Sequence, residues 1–214
     1  GHPARRRAPG EHGGLALTTV ADRLAAAGMS LVESRQKAAR FDELTRELRR
    51  LRGEPDSDTE GSIGSDTNDS LAFWVPGRIE VLGKHTDYGG GRSLLCAVER
   101  GICIVARKSD PAFGSRIRIR DVSWQDTAEF ALASDTAPSP GHWSNYPITV
   151  ARRVALDFAG DLRGADIVFT SDLPHAAGVS SSSALVVATF LVLSAINDLP
   201  LRPEYLQYIR SCED

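Results

Sequence analysis

Apolar residues recur at helical spacing in the first quarter of the chain and change to strand-like patterns after residue 70. Residues 18–52 predict helix, with a break near Gly28. After that break, Ser30-Leu31-Val32-Glu33 has the form of a capping box, in which Ser30 and Glu33 satisfy each other's backbone N–H groups. Phe41, Leu44, Leu48 and Leu51 then fall on one face with charges on the other, and Gly53 and Pro55 end the helix. Such a stripe is expected to pack on its own chain. Beyond residue 70, segments 71–75, 79–82, 94–98 and 101–106 read as strands, and 87–91 as a turn. Arg and Ile alternate over 116–120, predicting a half-buried strand with Arg116, Arg118 and Arg120 on its wet face. Segments 129–132 and 166–170 predict further strands, 146–158 a helix, and 180–196 an apolar, largely buried helix. Pro203 suits the first turn of a last helix running to about Cys212. Runs of strands with helices between some of them predict an α+β fold.

Charge divides the chain further. The 214 residues carry a net charge of −3, but residues 1–52 are +5, 53–70 are −6 and 71–214 are −2. Residues 1–17, rich in Arg, Gly and Pro, predict a disordered arm, and 18–53 a helical extension. Residues 54–70, EPDSDTEGSIGSDTNDS, predict a solvated acidic linker before a main domain at 71–214. The near-neutral balance argues against nucleic-acid binding. Arg5, Arg6 and Arg7 are followed by no apolar signal-peptide core, and the apolar run 184–196 is too short to span a bilayer. Cys96, Cys103 and Cys212 form no C-x-x-C pair, which points to a reducing, cytoplasmic setting without a zinc site. Cys96 and Cys103 lie in apolar strands and are expected in the core. His2 and His12 sit in the arm, where no metal site is expected, and His142 is expected to be exposed.

Two segments carry chemistry. Leu173-Pro-His-Ala-Ala-Gly178-Val-Ser-Ser-Ser-Ser183-Ala184 links a strand to a long apolar helix. A small-residue loop opening a helix presents unpaired N–H groups and the positive end of the dipole, which is an anion site suited to phosphate. Four consecutive serines exceed what one N-cap requires. The second segment is Pro76-Gly-Arg-Ile-Glu-Val-Leu-Gly-Lys-His-Thr-Asp-Tyr-Gly-Gly-Gly91. Arg78 is a permanent cation suited to a migrating phosphoryl group, and His85 and Asp87 are suited to sugar hydroxyls. Gly77 and Gly83-Lys84 do not make a Walker A loop: five residues separate the glycines, and His85 stands where Ser or Thr is needed.

Together these segments resemble the GHMP kinase superfamily, and its galactokinase branch most closely, over residues 71–214. Trp143-Ser-Asn-Tyr146 is similar to the branch's Trp-x-Asn-Tyr stretch. The resemblance implies the N-terminal lobe of a GHMP kinase, a ribosomal protein S5 domain 2-like fold, preceded by the helical extension. It implies transfer of the γ-phosphoryl group of ATP to the anomeric hydroxyl of galactose. Arg78 would stabilise the transition state, and Lys84, His85, Thr86 and Asp87 would bind the sugar. Trp143 would line the adenine pocket. Ala176, Ala177, Gly178, Val179, Ser180, Ser181 and Ser182 would hold the nucleotide phosphates, with Ser182 also a Mg²⁺ ligand. His175, inside this loop, would lie near a phosphate. Three features depart from the family: Lys84 stands for a usual Glu, Ala176 for a Gly and Val179 for a Leu. Lys84 removes an acceptor and reverses a charge, which would suit another or an acidic sugar. The family's catalytic Asp motif and third glycine-rich motif have no counterpart here, so the chain is expected to be an incomplete lobe with little turnover alone. Asp172 is expected to make loop hydrogen bonds rather than to act as base. A kinase for another sugar or small alcohol, and a non-catalytic regulator binding sugar and ATP, are the alternatives. No nucleic acid or membrane partner is expected, and the resemblance names no protein partner for 18–53.

Overall fold

The structure is a computed structural model that describes residues 19–55, 70–83, 89–158, 160–174 and 178–200. Helix α1 (Val20–Ala26) opens with a complete capping box: Thr19 Oγ1 accepts the Asp22 N–H at 3.1 Å, and Asp22 Oδ2 accepts the Thr19 N–H at 3.2 Å. Helix α2 (Leu31–Leu51) follows the break at Gly28, which has φ +99°. Ser30 Oγ accepts the Glu33 N–H at 3.4 Å, but the Ser30 N–H donates to Glu99 Oε1 at 2.5 Å. The expected reciprocal box is therefore only half formed. Glu33 instead approaches Lys37 one turn on, at 3.5 Å.

Five strands form one sheet: β1 (Leu71–Leu82), β2 (Leu94–Lys108), β3 (Arg116–Asp121), β4 (Asp126–Ala131) and β5 (Ala165–Ser171). Their spatial order is β1-β2-β5-β3-β4, antiparallel except for the parallel β3–β5 pair. Helices α3 (Asn145–Asp157) and α4 (Ser181–Ile196) lie on one face, over Ile102, Ile104, Ile117, Ile119, Ile167 and Phe169. Helix α2 lies on the other, where Phe41, Leu44 and Leu48 meet Cys103, Val105 and Val168. Each of these three apolar side chains contributes about 1.5–3 kcal/mol by burial. The amphipathic stripe thus packs on its own chain, and β2 is buried on both faces from Gly101 to Ala106, which hides its period of two.

Several sequence expectations change. The segments 71–75 and 79–82 are one strand, as are 94–98 and 101–106. A register shift between Pro76 and Arg78 absorbs the irregularity, and Pro76 is tolerated because β1 is an edge strand. Arg118 is not on a wet face: its Nη2 lies 2.9 Å from the buried Asp166, which also takes Arg52 Nη1 at 2.6 Å. Arg116 and Arg120 are likewise half-buried: Arg116 lies over the Phe113 ring and pairs with Glu129 at 3.3 Å, and Arg120 donates to Gln125 at 2.6 Å. Glu54, expected in the solvated linker, bonds Arg52 at 2.8 Å and Arg107 at 3.0 Å. Cys103 is buried but Cys96 is exposed. The start of β2 pairs with β1 as a ribbon, along which Ile79, Val81, Leu94 and Leu95 are also exposed. The arm, residues 56–69 and the last helix lie outside the described residues.

Candidate functional site

Strand β1 delivers Gly77 and Arg78 to the turn that opens α4. The Arg78 N–H donates to the Val179 carbonyl at 3.1 Å. A Cβ at Gly77 would overlap Leu173 Cδ2 and lie 3.0 Å from Val179 O, so only glycine permits this approach. The Arg78 side chain is exposed, and among the described residues no carboxylate pairs with it.

The turn itself is built from left-handed residues. Gly178 has φ +67°, and Ser180 has φ +59° and ψ +47°, a conformation uncommon for a non-glycine. Ser180 makes no side-chain capping bond, and no acidic residue occupies the first turn of α4. The N–H groups of that turn, which a helix leaves unpaired, are aided by the helix dipole and meet no competing carboxylate of their own turn. Serine beyond the needs of a cap thus remains available as hydroxyl donor.

A cavity of about 760 Å³ joins this turn to the loop before α3. Its lining includes Ser181, Ser182 and Leu185 from α4, and Trp124, Asp126, Trp143 and Tyr146 from the hairpin and the segment that opens α3. The Trp143 ring stands edge-on to Phe169 at 5.4 Å, which anchors it to the core. Its Nε1–H donates to Asp126 Oδ2 at 2.8 Å. His142 Nε2 lies 2.9 Å from the same oxygen, and its Nδ1 lies 2.8 Å from Ser144 Oγ. A carboxylate only accepts, so Nε2 carries the proton and Nδ1 accepts from Ser144. The Trp143 bond holds the Asp126 carboxyl below the ordinary aspartate range, against partial desolvation and with help from His142. His142 is exposed, as expected, yet engaged on both ring nitrogens.

The structure therefore brings Trp143, Ser181 and Ser182 to one cavity and ties Arg78 to the adjoining turn at Val179. Lys84, His85, Thr86, Asp87, His175, Ala176 and Ala177 lie outside the described residues. Sequence reasoning missed Asp126 and Trp124. Asp126 is 17 positions from Trp143 and only the β3–β4 hairpin brings it there. Trp124, 65% exposed beside that hairpin turn, carried the one available signal, an indole in a polar context. Asp172 faces elsewhere, held by Lys37, Arg40 and the Gly101 N–H. Among the described residues no cluster of three or more His, Cys, Asp or Glu is placed to hold a metal ion, and no helix is long and apolar enough to cross a membrane. Ser182 lines the cavity, and a serine hydroxyl is the kind of hard oxygen that Mg²⁺ takes.

Residues 62–108 match the galactokinase galactose-binding signature, and residues 145–214 match the GHMP kinases N terminal domain. The galactokinase of Actinobacillus pleuropneumoniae serotype 5b (strain L20) is 34% identical over 128 residues, 60% of this chain and 33% of that protein. The galactokinase of Pasteurella multocida (strain Pm70) is 35% identical over 133 residues, 62% of this chain and 34% of that protein. The chain thus spans about a third of the length of these relatives. The Lactococcus lactis galactokinase complexed with galactose shares the fold with TM-score 0.66 at 23% identity, covering 80% of this chain and 41% of that one. The Methanococcus jannaschii mevalonate kinase aligns with TM-score 0.56 at 15% identity, over 67% of this chain and 45% of that one. Residues 62–108 and 145–214 are thus each similar to a galactokinase or GHMP kinase sequence pattern, and the mixed sheet that spans them has the fold of a galactokinase.

Proposed function

We propose that the complete protein transfers the γ-phosphoryl group of ATP to the anomeric hydroxyl of galactose. The observation that carries this reading is the single cavity in which Trp143 faces Ser181 and Ser182, beside the turn bonded to Arg78. An indole wall suits a purine, and a helix N-terminus with spare hydroxyls suits its phosphates. Ala176, Ala177, Gly178, Val179 and Ser180 would complete the phosphate loop. The Arg78 guanidinium, carried on a strand whose backbone is bonded to that loop, would neutralise charge as the phosphoryl group leaves ADP. His85, Thr86 and Asp87, with Lys84, would hold the sugar. Positioning and charge stabilisation do most of the work in such a transfer. A Mg²⁺ held by Ser182 and the phosphates would supply further charge neutralisation. Asp172 is not the base that takes the hydroxyl proton, because Lys37, Arg40 and the Gly101 N–H occupy its oxygens. We place the reaction in the cytoplasm, where ATP is available and free thiols such as Cys96 stay reduced.

The test is a sugar panel with ATP and Mg²⁺ on the complete protein and its Arg78→Ala variant. Galactose is expected to be turned over far better than other sugars, and the variant to lose about 10²–10³ in kcat, as for other removed charge-stabilising donors. An intact rate in the variant overturns the role of Arg78. No phosphorylation of any sugar overturns the function. Preference for an acidic sugar would favour the second reading, in which Lys84 sets a different specificity.

A further inference from the structure

Lys37 is fully buried, 0% exposed, whereas the charged residues nearest it on the helix, Glu33, Arg35 and Arg40, are half-buried or exposed. An ammonium out of water is costly unless it is paired and hydrogen-bonded. Its Nζ pairs with Asp172 Oδ2 and lies 3.5 Å from Glu33 Oε2. Arg40 Nη1 lies 3.1 Å from the same Asp172 oxygen. Docking α2 does not require this cluster, since Phe41, Leu44 and Leu48 already bury its apolar face.

The partner's position in the fold gives the cluster its meaning. Asp172 is the first residue after β5, on the segment leading to Gly178 and the serine turn. Its Oδ1 accepts the Gly101 N–H at 2.7 Å, and its own N–H donates to the Gly101 carbonyl at 3.2 Å. Gly101 in turn abuts Val75 O and the Pro76 Cα so closely that no Cβ fits there. Leu173, next in sequence and buried, fills the space that a Cβ at Gly77 would take. One carboxylate therefore joins the two supports, Gly101 and Leu173, on which residues 75–78 rest.

We propose that Lys37 is a positioning residue for Arg78: through Asp172 it holds Gly101 and Leu173 against residues 75–78, and so sets Arg78 relative to the Val179–Ser182 turn. The helical extension then has a part in the site without touching it. A contiguous set of packed groups links the two, each contact being a bond or a close approach given above. The functional half of this inference rests on the kinase reading. The structural half does not.

Two readouts separate them. Four forms of the complete protein are compared: wild type, Lys37→Met, the double variant Lys37→Met/Asp172→Asn, and Leu48→Ala. The double variant leaves no unpaired buried charge, so it remains informative where the single one fails to fold. Leu48→Ala loosens α2 without touching the Lys37 cluster. The first readout is amide exchange at Arg78, whose N–H is bonded to Val179. Exchange is expected to accelerate in the Lys37 variants and not in Leu48→Ala. The second is kcat against KM for ATP, well below each melting temperature. The Lys37 variants are expected to lose about tenfold to a hundredfold in kcat with KM little changed, as small misplacements of reacting groups do. Leu48→Ala is expected to keep its kcat. Unchanged exchange at Arg78, or a kcat loss equal to that of Leu48→Ala, overturns the inference. Accelerated exchange with an unaltered kcat also overturns it as positioning. Absence of kinase activity in the wild type overturns the kinase reading and the functional half together, while exchange still decides whether Lys37 acts on Arg78.

Discussion

The Arg78 N–H is bonded to the Val179 carbonyl at 3.1 Å, the middle of a strand reaching a turn 101 positions later. This bond lets an edge strand carry a cation to the mouth of a helix. It exists because Gly77 has no side chain to hold the two apart.

Gly77→Ala follows from that geometry. Its methyl group would overlap Leu173 Cδ2 and crowd Val179 O at 3.0 Å. Overpacking of this kind costs about 1–3 kcal/mol. Urea denaturation is expected to show that loss, and turnover in the complete protein is expected to fall further than stability alone explains. A variant with wild-type stability and rate would mean that the strand and turn need not meet so closely.

Asp126 orients Trp143. Its carboxylate accepts the indole N–H at 2.8 Å, and this charge-assisted bond fixes the ring on the cavity wall. Asp126→Ala is expected to raise KM for ATP about tenfold, with kcat little changed. Asp126→Asn, which keeps an acceptor, is expected to lie between. Equal KM values for all three forms would remove Trp143 from the nucleotide site.

Acid should loosen the Lys37 cluster. Burial pushes the Asp172 carboxyl up, but the Lys37 ammonium bond, the Gly101 N–H and the Coulomb pull of Lys37 and Arg40 outweigh it, so it sits below the ordinary value of 3.8. A carboxyl with a depressed folded pKa stabilises the fold fully above its unfolded value, and that stabilisation is lost as pH falls through the folded value. Urea midpoints measured from neutral pH down to about pH 3 should therefore drop at the acid end, across and below the unfolded aspartate value near 3.9. Asp172→Asn should start lower and drop less. Parallel curves for the two proteins would contradict the assignment.

The two described cysteines should differ sharply in reactivity. Burial pushes the Cys103 thiol up to about 12, while Cys96 is exposed. A thiolate reagent at mildly alkaline pH is expected to label Cys96 in the native state and Cys103 only after unfolding, as read by peptide mass spectrometry. Native labelling of Cys103 would show that α2 leaves the sheet readily.

By itself the sequence determined what depends on near neighbours along the chain. The Phe41–Leu44–Leu48 stripe, the alternation of Arg116–Asp121, the apolar α4 and the serine turn are written in periods of 3.6 and 2 and in glycine placement, and all were legible. The sequence also singled out Arg78 and Ser182, and the structure sets the Arg78 backbone against the turn that leads to Ser182. Only the tertiary structure decided which distant groups meet. Strand order β1-β2-β5-β3-β4 puts Asp166 between Arg52 and Arg118, so a strand face read as wet became an ion-pair layer. The same order gave Ser30 the carboxylate of Glu99 in place of Glu33, left Cys96 on an uncovered ribbon, and set Asp126 against Trp143. The physical reason is that hydrogen bonds along a helix, and the alternation of a strand, are set within a few residues. A buried charge instead takes whichever partner the sheet brings within about 3 Å, and no local pattern encodes that choice.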